Sequence, residues 1–211
     1  MVRPLDVAAL KRSGPRAVAV AVSEVPDLYT ESAGIPLLPV GPLAMAVAGT
    51  ASVRHASAKA DTLRAMGVED PAVMVRGLVV AALVQRLGLP ESDTRSFVTA
   101  APTPEAMVSE HRGVDLIIDV RTARWGLRST REYNSLYLDY VGTLRLIDGR
   151  SGAVLAEGSC STPGPGSDDQ FPVLAPENLA DGWLLKQELW VAANRCANHY
   201  LARVLRLSPE S

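Results

Sequence analysis

Cys160 and Cys196 carry the most specific chemistry in the chain, and they are its only two thiols. Cys160 shares the inward register of a predicted strand with Val154, and Cys196 falls on the apolar stripe of a predicted C-terminal helix. Both then point at one strand–helix interface, which suits a disulfide. Closing a loop of that length stabilises by about 4 kcal/mol on chain-entropy grounds. The alternative is a pair of buried free thiols, as in many cytosolic proteins. Matching inward registers favour the bridge, and with it an oxidising compartment.

Other spacings fall short of chemistry. Cys196 and His199 are placed as Cys-x-x-His, but zinc needs three or four ligands, and His55 and His111 lie on unrelated elements. No metal or cofactor is expected. The run Gly158-Ser159-Cys160-Ser161 lacks the closing glycine of a serine elbow. Gly164-Pro165-Gly166 lacks the Lys-Ser/Thr of a phosphate loop and opens no helix. Asp115 and Asp119 project from one strand face as paired catalytic carboxylates do, yet Arg121 beside them reads as an ordinary solvated face. The expectation is a protein that is not an enzyme.

Two stretches are candidates for contacts. Arg121, Arg124 and Arg128 surround Trp125 in a connection between strands, and an exposed aromatic flanked by arginine has the composition of a binding hot spot. The competing reading folds Trp125 over the sheet end. Residues Ser32 to Val53 carry no charge, and Ala44, Ala48 and Ser52 recur every four residues, so another helix can approach closely. That predicts a subunit or membrane-surface contact, against intramolecular packing. Three prolines in the stretch argue against a transmembrane helix. With a net charge of −2 and no basic run, nucleic acid is not an expected partner.

The elements that position these residues follow from periodicity. A hydrophobic fraction of 47% over 211 residues supports one domain with a sizeable core. Residues 1–16 read as a polar N-terminal tether, and 17–211 as a single α/β domain. The apolar run Ala17 to Val22 is too short for a signal peptide and is expected as a core strand. A helix is predicted over 42–66. A second, over 71–88, is capped by Asp70, opened by Pro71 and closed by Gly88, with Val73, Gly77, Val80, Ala81, Val84 and Leu87 facing the sheet. A short strand near Ser96 to Thr99 and a short helix from Pro104 follow.

Residues 114–160 alternate with period two as an antiparallel three-strand meander, turning at Asp148 to Gly152. Val114, Leu116, Ile118, Val120, Leu136, Leu138, Tyr140, Leu144 and Leu146 face inward, and Asp115, Asp119, Arg121, Asp139, Thr143 and Arg145 face water. A loop over 161–176 leads to a long helix over 177–207. Leu185, Leu189, Ala193, Cys196, Tyr200 and Val204 form its buried stripe, and Trp183 and Trp190 pack at the boundary. The fold class is α+β: a single mixed sheet with helices packed on it.

Val114 to Gly126, Leu146 to Gly158 and the cysteine pair together resemble bacterial envelope lipoproteins. The element order is similar to the domain shared by the TolB N-terminal region, the curli-secretion lipoprotein and related export accessory lipoproteins. The resemblance implies a periplasmic, non-enzymatic accessory of envelope assembly or export. It also implies outer-membrane anchoring through a lipidated N-terminal cysteine, and no cysteine stands near residue 1. Protein partners or self-association are expected. The alternative is a small-ligand binder or enzyme with a pocket between the sheet and the 161–176 loop.

Overall fold

The spine of the molecule is one long strand, Leu116–Ser129 (β5), on which every other sheet element is hung. The computed structural model describes residues 2–14, 17–23, 26, 28–31, 55–58, 67–89, 95–99, 103–129, 136–163 and 182–207. Along one edge of β5 runs Leu136–Asp148 (β6), antiparallel over its whole length, and Val154–Ser161 (β7) pairs antiparallel beyond it. The other edge of β5 is shared. Val18–Val22 (β1) pairs parallel with its first half and Leu28–Glu31 (β2) parallel with its second half. Arg95–Val98 (β4) continues parallel outside β1, and His55–Ala58 (β3) antiparallel outside β2. The result is the expected single mixed sheet with the meander at one side.

One face of this sheet is covered by two helices, Pro71–Leu87 (α2) and Trp183–His199 (α4), the latter running into a π-helical turn at Tyr200–Val204. The core between them holds Leu116, Ile118, Val120, Trp125, Leu127 and Leu138 from the strands, with Val75, Val79, Leu83, Leu185 and Leu189 from the helices. A short helix, Pro104–Glu110 (α3), closes one end of the opposite face, where Met107 packs against Ala19, Ala21, Ile117 and Ile147.

Local capping acts as the sequence implies. Asp70 accepts from the Ala72 N–H (3.0 Å), Pro71 opens α2 and Gly88 ends it in the left-handed region, while Thr103 accepts from the Ala106 N–H (3.3 Å) at the start of α3. The face of α2 that is buried is not the expected one. Ala72, Val75, Val79, Ala82 and Leu83 pack inward, whereas Val73, Gly77 and Ala81 are exposed. Almost every position of this helix is apolar, so periodicity cannot choose a face, and packing against β5 and α4 does.

Residues 1–16 are not simply a tether. Val7–Ser13 forms a helix (α1), capped by Asp6 on the Ala9 N–H (2.8 Å) and ended by Gly14. Leu5 and Leu10 are buried in the main core, and Arg3 exchanges both backbone hydrogen bonds with Glu157 on the outer edge of β7 (2.7 and 2.9 Å). Two apolar anchors in a polar stretch were enough to dock it. The helix predicted over 42–66 is also corrected where it can be seen, because His55–Ala58 is a strand. Its pairing with β2 is a non-local choice that outweighs the weak helical pattern of small residues. The remainder of 42–66 lies outside the described residues, as do Ala44, Ala48, Ser52, most of the 161–176 loop and the first residues of the helix expected over 177–207.

Candidate interaction surface

Between Thr122 and Arg124 the register of β5 against β6 slips by one residue, a β-bulge that reverses which side chains face the helices. Before the bulge the even positions point to the covered face; after it the odd ones do. Trp125 and Leu127 therefore join the core, and Arg121, Arg124 and Arg128 share the open face. Trp125 lies within β5, is 1% exposed, and donates its indole N–H to the Pro26 carbonyl (2.7 Å). It is a core residue and not an exposed hot spot. The three arginines are brought together without it.

On the open face these arginines bind aspartates that the alternation had assigned to water. Asp119 is 1% exposed; it accepts from Arg121 Nε (2.7 Å) and from Arg145 Nε and Nη2 (2.9 and 2.7 Å). Asp139, also buried, accepts from Arg124 Nη2 (3.1 Å), lies 3.8 Å from Arg128 Nη1, and accepts a hydrogen bond from the Tyr29 hydroxyl. Burial and the Asp139 carboxylate together push the Tyr29 phenol far above its ordinary range. The Tyr29 ring lies over Gly126, where any Cβ would collide with it. Asp115 closes the row, accepting from Arg150 Nη2 and Nε (2.6 and 3.0 Å) and from the Ala17 N–H (3.2 Å). Asp115 and Asp119 thus belong to separate ion pairs, and Asp119 is buried where a solvated face was expected. Arg124 and Arg128 remain the accessible part, with side chains 54% and 40% exposed.

On the covered face, Thr122, Gly142 and Cys160 stand side by side across β5, β6 and β7. The disulfide rises from this row: Cys160 is bonded to Cys196 of α4, with Cα atoms 5.5 Å apart and a sequence separation of 36. Gly142 leaves room for the Tyr140 and Tyr200 hydroxyls, each of which would crowd a Cβ there. Among the described residues neither buried hydroxyl has a well-formed hydrogen bond, and burial raises both phenols well above their usual range. The π-helical turn, closed by the Leu205 N–H on the Tyr200 carbonyl (2.8 Å), carries Tyr200 in this inward direction. Thr122 donates its hydroxyl to Asp70, whose carboxyl burial pushes upward despite that bond and the Ala72 N–H.

Periodicity missed a second surface. Trp183 and Trp190 are 64% and 55% exposed on one side of α4, not packed at a boundary. Their spacing of seven residues on a helix was the available signal. Asn194, four residues beyond Trp190, donates to its carbonyl (2.8 Å) and touches the Met74 sulfur of α2 (3.9 Å). Among the described residues no group of three or more His, Cys, Asp or Glu side chains is placed to hold a metal, and no helix is long and apolar enough to cross a membrane.

No family model and no curated protein matches the chain. Solved structures similar to it include the PelC dodecamer from Paraburkholderia phytofirmans (11% identity, 97% of this chain and 95% of that one, TM-score 0.36). Protein XCC0632 from Xanthomonas campestris is similar at 10% identity over 89% of this chain and 85% of that one, with a TM-score of 0.40. Lipoprotein GNA1162 from Neisseria meningitidis is similar at 16% identity over 69% and 81%, with a TM-score of 0.30. At these TM-scores the likeness carries no functional weight, and the narrower resemblance to the TolB N-terminal region is not carried by it.

Proposed function

We propose that this chain is a non-enzymatic domain of a bacterial envelope protein, working in the oxidising periplasm through contacts with other proteins. The observation that carries the reading is the Cys160–Cys196 bridge, which joins β7 to α4 inside the core. A buried structural disulfide persists where the compartment is oxidising. The resemblance of the meander to envelope lipoproteins supports an accessory role in assembly or export. The contact role is supported by Trp183 and Trp190, large aromatics left in water on one helix.

Non-reducing peptide mapping of protein exported to the periplasm tests the compartment. A linked Cys160–Cys196 peptide in nearly all molecules is expected, and free thiols in that sample would sink the reading. The contact role is tested by a photocrosslinking residue at Trp190 in cells. A discrete adduct that disappears with Trp183→Ala supports it; no adduct from any exposed position of α4 refutes it.

A further inference from the structure

We propose that the hollow between the end of α3 and the β6–β7 turn binds a carboxylate that carries a short apolar group. This goes beyond the envelope reading and does not depend on it. The hollow has a volume of about 410 Å³, at the small end of ligand sites and suited to a ligand of amino-acid size. Val108 and Val114 form its apolar wall, and Arg112 and Arg150 supply its cations. The backbone of Gly149 packs directly on the Val114 carbonyl, where a Cβ would collide, so glycine sets the shape of the floor.

The charge balance selects the ligand. Among the described residues Asp115 is the hollow's one carboxylate, and it is already engaged by Nε and Nη2 of Arg150 and by the Ala17 N–H. Arg112 is exposed and makes no ion pair among the described residues. One uncompensated guanidinium matches one carboxylate, which it can hold by two parallel N–H···O bonds. A ligand held this way lays its apolar group on Val108 and Val114. Two sources share that chemistry: the C-terminus of a polypeptide ending in an apolar residue, and a free small acid.

The test is an NMR titration of the full chain with four probes: N-acetyl-leucine, N-acetyl-leucinamide, the tripeptide Ala-Ala-Leu and hexanoate. Saturable shifts at the Val108 and Val114 methyls are expected with the carboxylates and not with the amide. Arg112→Gln, a surface change, is expected to weaken binding at least tenfold, about 1.4 kcal/mol. Tighter binding of the tripeptide than of hexanoate by tenfold assigns the polypeptide source; equal or reversed affinities assign the free acid. Equal binding of the amide, unchanged binding by Arg112→Gln, or no saturable shift at about 10 mM, about tenfold above a Kd of about 1 mM, overturns the proposal.

Discussion

The two faces of β5 solve opposite problems with one strand. Toward α2 and α4 it presents Leu116, Ile118, Val120, Trp125 and Leu127, all buried in the main core. Away from them it presents Asp119, Arg121, Arg124 and Arg128, three arginines on shared aspartates. The covered face is held by removing apolar area from water, which is worth about 25 cal/mol per Å². The open face is held by ion pairs whose value depends on depth: little where they are exposed, and costly to break where they are buried. Asp119 and Arg124 lie on the same face, yet the first is 1% and the second 54% exposed. Depth, more than face, decides what each side chain contributes.

Truncation on the two faces measures that difference. Trp125→Ala should lose about 4 kcal/mol of unfolding free energy in urea, since it empties a buried aromatic site and orphans the Pro26 carbonyl. A loss under about 1 kcal/mol, the range of a half-exposed side chain, would show that the covered face is not what anchors β5. Asp119→Ala should cost about 3 kcal/mol, because Arg121 and Arg145 are left half-buried without their shared anion. If it proves silent, the open face is a solvated surface after all. Arg124→Ala on the same face should change stability by about 0.5 kcal/mol or less, and raising salt should shrink even that.

The smallest effect should come from the covered face itself. Asp70 has a folded pKa raised by burial above its ordinary 3.8. A raised carboxyl favours the folded state most when protonated, so its contribution is fully present below pH 3.8 and is lost as pH rises through the folded value. Asp70→Asn keeps the cap on Ala72 and the acceptor for Thr122 but never ionises. It should therefore match or slightly exceed the parent near neutral pH, with the difference vanishing in acid. A variant less stable than the parent at neutral pH would show that the ionised carboxylate, not the cap, is what the site uses.

How much of this was legible depends on the range of the signal. Asp70, Pro71 and Gly88 mark the ends of α2 because capping is settled within four residues. The inward stripe of α4 and the π-helical turn after it, from Leu185 through Cys196 to Val204, was legible because polar residues separate its members, and the disulfide register followed from it. The buried face of α2 was not legible, since an almost wholly apolar helix carries no phase. The role of Trp125 was lost to the bulge: a single extra residue inverts the parity of everything after it, and no local pattern announces where it falls. His55–Ala58 was lost because strand pairing with β2 is decided by a partner distant in sequence.

By itself, then, the sequence determined the α+β class, the meander, the caps and the meeting of Cys160 with Cys196, all of which rest on periodicities and turn residues a few positions long. Only the tertiary structure decided that Arg121, Arg124 and Arg128 share a face, that Asp119 and Asp139 are buried beneath them, and that Trp125 is core while Trp183 and Trp190 are not. The reason is physical. Burial belongs to the layer packed on a residue, and a chain's local pattern specifies which side chains share a side without specifying what will cover it.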